Sequence, residues 1–113
     1  MDKKYCIKWA SPAKDDLDEI IEYISKTNIN YAIKIMDKIY ENVKNLNMFP
    51  KRHRIVPELE KHGYLIYRQV VVDYWRIIYK MENNFVYIML VIDSRRNLED
   101  ILLKKILLRE SEV

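Results

Sequence analysis

The sequence predicts an α+β domain in which a helical hairpin packs on a mainly antiparallel four-stranded sheet, with the element order β-α-α-β-β-β-α. Two observations carry this. Two helical stripes follow one another in the first half, separated by only a few residues, and three β-branched and aromatic runs then follow in succession. With one Gly and three Pro in 113 residues, the connections are few and tight, and residues 1–113 read as a single domain.

The segment Lys3–Trp9 alternates, with Tyr5, Ile7 and Trp9 on one side, and is expected as the first strand. Ser11 then reads as an N-cap with Pro12 at the first helical position. Asp15, Asp16 and Asp18 place negative charge early in this helix, where the dipole favours it. Leu17, Ile20, Ile21 and Ile24 give the helix one apolar face, and it is expected to end near Ser25–Thr27. Asn28 or Asn30 can cap a second helix, whose stripe runs through Ala32, Ile35, Met36, Ile39, Val43 and Leu46 until Pro50 stops it. The short link makes the two helices an antiparallel hairpin.

Residues 51–63 are expected as an irregular connection, basic at first and then reading Val56-Pro57-Glu58-Leu59. Three strands follow, Tyr64–Val72, Tyr74–Met81 and Phe85–Ile92, the last two joined by a turn at Glu82-Asn83-Asn84. Asn97 can cap a closing helix from Leu98. Seven of the eleven residues in Leu98–Leu108 are apolar, too many for one narrow stripe, so either part packs on the sheet and part awaits a partner chain, or the segment wraps more of its own core.

Half the residues are hydrophobic and a third are charged, the composition of a folded soluble protein. The single cysteine, Cys6, allows no internal disulfide and suits a reducing compartment. The start of the chain lacks the long apolar run of a signal peptide, and no stretch reaches the ~20 apolar residues of a membrane span. A cytoplasmic location without membrane contact is therefore expected. Residues 1–49 carry eight cations and eight anions, whereas residues 50–113 carry twelve Lys/Arg against nine Asp/Glu. The net charge of +3 thus lies entirely in the second half, which reads either as the side that meets an anionic partner or as an ordinary solvated surface.

Within that half, Arg68 shares a strand face with Tyr64, Ile66, Val70 and Val72, and Arg76 shares one with Tyr74, Ile78 and Lys80. If the two faces coincide, Arg68, Arg76 and Lys80 form a cationic strip, with Arg95 and Arg96 at the sheet's edge, suited to cradling phosphate. The alternative is internal pairing with Glu58, Asp73 or Asp93. His53 and His62 flank Glu58 in the connecting loop, and His53 is the candidate proton carrier. Tyr74, Tyr79 and Tyr87 are expected as strand or core residues. No metal-ligand spacing and no phosphate-binding glycine loop occurs, so no metal and no cofactor is expected.

Several segments in this order resemble the RelE/ParE toxin superfamily. Ser11-Pro12-Ala13, followed by Asp16-Leu17, Ile20 and Tyr23-Ile24, is similar to the family's opening helix. Phe49-Pro50 and Arg54-Ile55-Val56-Pro57-Glu58-Leu59 resemble its loop after the hairpin, with His53 standing where members often carry Gly. Tyr67-Arg68, Trp75-Arg76-Ile77-Ile78-Tyr79, Val86-Tyr87-Ile88 and Arg95-Arg96 resemble its core strands and their basic exit. No one motif is specific; their order and spacing from Ala10 to about Arg109 carry the match. The resemblance implies a bacterial growth-inhibiting toxin of a type II toxin–antitoxin system, of the plasmid-stabilisation kind, silenced by a cognate antitoxin.

The implied target is DNA gyrase for a ParE-like member. For a RelE-like member it is mRNA, cut freely or on the ribosome, and the enzyme would then be an endoribonuclease. RNA cutting needs a proton carrier beside cations that hold the charged transition state. Arg68, Arg76, Arg96 and His53 are the catalytic candidates, and Arg68, Arg76, Lys80, Arg95 and Arg96 the binding candidates. RNA-cutting members often place a Tyr, or a His-Tyr pair, in the closing segment. Here that segment, Asn97-Leu98-Glu99-Asp100-Ile101-Leu102-Leu103, has neither, which favours the gyrase reading. A third expectation is a non-toxic relative that acts as a binding module.

Overall fold

A computed structural model describes residues 4–96 and 98–109. The chain begins with strand β1 (Cys6–Trp9) and continues into helix α1 (Ser11–Ser25) and helix α2 (Ile29–Lys44). The cap of α1 differs from the expected one. Ala10 occupies the N-cap without a side-chain bond, Ser11 is already helical, and Pro12 lies within the first turn, where its missing N–H costs nothing. Of the two asparagines that could cap α2, Asn28 does so, its Oδ1 accepting from the Tyr31 N–H at 3.0 Å. The expected cap of the closing helix, Asn97, lies outside the described residues.

Two short 3₁₀ turns, Asn45–Asn47 and Pro50–Arg52, follow α2. The connection over residues 51–63 is more ordered than the sequence predicts. Pro57 starts a four-residue helix α3 (Pro57–Glu60), and Ile55 bridges to Arg68, covering part of the sheet's outer edge. Strand β2 (Tyr67–Val72) consequently begins three residues later than its apolar run. It is joined by two-residue turns to β3 (Trp75–Glu82) and then β4 (Phe85–Asp93). Asp73 and Asn83, the first turn residues, take positive φ values of 52° and 57°, which Asp and Asn tolerate better than branched side chains do.

The sheet order is β1-β4-β3-β2. The last three strands pair antiparallel, and β1 runs parallel to β4. Between β3 and β4 the register slips: Ile78 faces Leu90 but Tyr79 faces Ile88, so Met89 is an extra residue, a β-bulge.

Each face of the sheet has its own core. On one, Ala13, Leu17, Ile35 and Ile39 of the hairpin pack with Val70, Ile77, Tyr79 and Ile88. On the other, Leu59 of α3 and Leu102 and Ile106 of helix α4 (Leu98–Arg109) pack with Ile78, Met89 and Leu90. Because of the bulge, Met89 and Leu90 both serve the second core. Of the two outcomes open for the closing helix, it is the divided one that forms: Leu98, Leu102 and Ile106 are buried, while Leu107 and Leu108 are 60% and 64% exposed. Among the described residues, no helix is long and apolar enough to cross a membrane.

Candidate functional site

The β2–β3 register decides where the strand cations point. A two-residue turn pairs Val72 with Trp75, and counting back pairs Arg68 with Tyr79 and Val71 with Arg76. Directly paired residues share a face. Arg68 therefore lies on the hairpin face with Val70, Ile77 and Tyr79, and Arg76 lies on the α4 face with Ile78. The expected strip of Arg68, Arg76 and Lys80 does not form. Lys80 stays with Arg76, and Arg68 belongs to a separate group.

On the α4 face, Arg76 is engaged by its own chain. Its two terminal nitrogens donate to the Glu58 carboxylate at 2.8 and 2.9 Å, and Nη1 also donates to Gln69 Oε1 at 2.9 Å. Pro57 initiates α3, and that turn carries Glu58 over the strand. Both side chains are largely buried, 15% and 22% exposed. The hydrogen bond from Arg76 holds the Glu58 carboxyl below its ordinary range despite burial. Lys80 is buried between its cross-strand neighbours Tyr67 and Tyr87, with Glu82 at 3.8 Å. Of the two outcomes open for Arg76, the structure adopts the internal pair with Glu58, and α3 and α4 cover part of this face, leaving Val71 beside Arg76 exposed.

The second group gathers where the loop after α2 meets the hairpin face. Arg68 Nη1 donates to the His53 carbonyl at 2.6 Å, and the Tyr79 hydroxyl donates to the Pro50 carbonyl. The rings of His53 and Tyr79 meet edge to face, 6.4 Å apart. Burial, and then the charges of Arg52 and Arg68, hold the His53 imidazole below its ordinary pKa, so its neutral form is favoured. Burial pushes the Tyr79 phenol above its ordinary range.

The third group lies at the β4 exit. Arg95 pairs with Asp93 at 2.8 and 3.0 Å and lies over the Tyr74 ring, 4.4 Å from its centre. The Arg95 hydrogen bond lowers the Asp93 pKa. Arg96 is exposed. Asp73 meets Lys38 at 3.5 Å and not an arginine. His62 and Lys61 both contact Glu99 of α4, at 2.8 and 2.7 Å, and lower its pKa, Lys61 the more. The sheet thus separates the cations into three groups with different partners.

Sequence reasoning missed one further group. Asp16, read as a charge favourable to the helix dipole, is instead buried on the inner face of α1. Strand β1 covers β4 only as far as Ile88, where the Ala10 N–H donates to the Ile88 carbonyl before the chain turns into α1. Beyond that point side chains replace the missing strand. Asp16 Oδ2 accepts from the Val91 N–H at 3.1 Å, and Arg109 of α4 donates to the Met89 carbonyl at 3.3 Å. Arg109 also binds both Asp16 oxygens, at 2.5 and 2.9 Å. The available signal was spacing: Asp16 lies three residues after Ala13 and four before Ile20, within the apolar stripe.

Beside this pair lies a cavity of about 350 Å³ bounded by α1, α4 and the end of β4, with Trp75 and Arg96 in its wall.

Comparison with known proteins agrees with this architecture. The family model described as the ParE toxin of the type II toxin–antitoxin system parDE matches residues 7–98. No curated protein matches the chain by sequence. Among solved structures, the chain is similar to one from the chromosomal ParDE toxin–antitoxin system of P. aeruginosa, with a TM-score of 0.67 at 18% identity over 80% of this chain and 97% of that one. It is also similar to a chain of the toxin–antitoxin complex RelBE2 from Mycobacterium tuberculosis, with a TM-score of 0.53 at 16% identity over 82% and 97% of the two chains. Those identities speak for the fold, and the family match spans most of the chain from β1 to the start of α4: the chain belongs to the ParE toxin family of type II toxin–antitoxin systems.

Proposed function

We propose that this toxin stops bacterial growth by binding DNA gyrase, without cutting RNA, and that a cognate antitoxin chain holds it inactive. The observation that carries the reading is the Arg76–Glu58 pair. An RNA-cutting site needs cations free to meet a phosphate as charge develops, with a proton carrier in reach. Arg76 is neutralised by a carboxylate of α3 and is largely buried, 15% exposed. Of the two histidines, His62 is bound to Glu99, and His53 lies with Arg68 and Tyr79 of the opposite face. The solved toxin–antitoxin assemblies of the same fold support the antitoxin partner.

The test is a short pulse of expression in a bacterium without the antitoxin, combined with a supercoiling assay using purified gyrase. Filamentation, damaged DNA and inhibited supercoiling support the reading; cleaved mRNA with intact DNA overturns it. The His53 group favours one second reading, an endoribonuclease in which neutral His53 takes the proton and Arg52 and Arg68 hold the phosphate. In that case His53→Gln abolishes mRNA cleavage. Normal growth at good expression would leave a binding module without toxicity.

A further inference from the structure

Helix α2 buries one side in the hairpin core and leaves a second apolar side open. Ile29, Ile33, Met36 and Tyr40 follow one another at spacings of four, three and four residues, so they line one flank of the helix. Ile29, Ile33 and Tyr40 are 62%, 50% and 50% exposed, and Met36 is half-buried. The core residues of the helix are Ala32, Ile35, Ile39 and Val43, so this stripe is additional to the fold's own packing. It continues onto β1, where the half-buried Trp9 ring lies 5.7 Å from the Tyr40 ring. A contiguous exposed stripe of this kind marks an interaction site.

The charges beside the stripe indicate what covers it. Its outer border carries Lys34, Asp37, Glu41 and Lys44, all exposed, and none of them forms an ion pair among the described residues. The remaining charge of the helix, Lys38, is turned to Asp73. Two cations and two carboxylates leave the border without net charge, so it offers no attraction to a nucleic acid or an anionic membrane. By helical position Asp37 and Lys44 stand nearest the stripe, seven residues or about two turns apart, with Tyr40 between them. Their signs are opposite and they are equally far from the middle of that segment. A twofold axis there brings each Asp37 onto the partner's Lys44, and both contacts form at once. An axis at Met36 would instead set Asp37 against its own copy.

We propose that this face seats a second copy of the same chain. The two α2 helices pack antiparallel, with the Tyr40 rings meeting beside the twofold axis and an Asp37–Lys44 ion pair on either side of it. Ile33 and Met36 then lie against the partner's first 3₁₀ turn, past the end of its helix. The proposal goes beyond the target and antitoxin readings and depends on neither. An interface of this size is small, so the dimer is reversible and concentration-dependent.

Sedimentation velocity of the full-length chain over a concentration series tests this. The expected result is a monomer that becomes a dimer as concentration rises. Tyr40→Glu, which places two carboxylates beside the axis, should leave the chain monomeric. Asp37→Lys and Lys44→Asp should each weaken the dimer about tenfold, because each replaces two attractive contacts by two repulsive ones. An equimolar mixture of these two variants should recover the lost affinity, since every contact across the mixed pair again joins a cation to a carboxylate. That recovery also shows that both single variants are folded. A chain that stays monomeric at every concentration overturns the proposal. So does a dimer indifferent to Tyr40→Glu, which assigns self-association to another face. A mixture no tighter than its two components overturns the Asp37–Lys44 arrangement. If Tyr40→Glu leaves self-association unchanged and abolishes binding of an antitoxin, the stripe belongs to that chain and the proposal fails.

Discussion

Arg76 and Glu58 meet in a two-point ion pair across the α4 face of the sheet, and Gln69 takes the remaining donor direction. The Glu58 carboxylate, carried by α3, thus neutralises the strand arginine. This pair separates a structural from a catalytic role for Arg76. Arg76→Met alone leaves Glu58 mostly buried without its partner and should destabilise the fold by about 2 kcal/mol, less than for a fully buried pair because both groups retain some solvent contact. Combining it with Glu58→Leu should restore most of that loss, as apolar replacement of whole buried pairs often does. Urea unfolding measures both effects. Growth arrest by the stable double variant is expected to persist; its loss at full stability would place Arg76 in the toxic mechanism.

Asp16 and Arg109 join the two helical layers around the open part of the β4 edge. Asp16→Ala removes the acceptor for the Val91 N–H and leaves the Arg109 guanidinium, 14% exposed, without its carboxylate. The expected cost is about 3 kcal/mol. It should be local in character: amide exchange in residues 98–109 should accelerate well before that of β3. Uniform acceleration across the sheet would mean that α4 is held by its apolar contacts alone.

The two sides of α4 should respond differently to truncation. Ile106, 1% exposed in the second core, should cost about 2–4 kcal/mol on replacement by Ala. Leu107, 60% exposed on the adjacent position, should change stability by about 0.5 kcal/mol or less as Leu107→Ser. Thermal melts of the two variants provide the comparison. A large loss from Leu107→Ser would contradict the packing of α4 described above.

Stability should fall in two steps on acidification. The folded chain binds the His53 proton more weakly than the unfolded chain, because of burial first and the neighbouring Arg52 and Arg68 charges second. The unfolded state therefore binds more protons as pH drops past the ordinary histidine value of 6.5, and stability decreases there. Glu58, Asp93 and Glu99 are also held below their ordinary values, so their contribution is present above about pH 4.5 and is lost below it as they protonate. His53→Gln should flatten the upper step and leave the lower one, as read from urea midpoints between pH 8 and pH 3. An unchanged upper step would move its origin away from His53.

The order of the main elements and a cap at Asn28, one of the two asparagines open to that role, were legible in the sequence, because a capping oxygen and a helix or strand periodicity are local chemistry. The end of α2 was not: expected to run until Pro50, it ends at Lys44, and Pro50 opens the second 3₁₀ turn instead. The start of β2 and the helical turn α3 were less legible, because the short apolar runs around Val56 and Tyr64 suit a strand or a loop equally well.

The candidate site was the part that pattern could not assemble. Arg68 and Arg76 are each visible as a cation in an apolar strand, but whether they share a face depends on one count, the number of turn residues between β2 and β3. With two, Asp73 and Tyr74, the faces are opposite; with one or three they would coincide. The pairing of Arg76 with Glu58 and of Asp16 with Arg109 joins residues 18 and 93 positions apart. No periodicity connects such positions. They meet because the register, the bulge at Met89 and the packing of α4 bring their backbones together, and a buried charge is stable only beside the partner that the fold supplies.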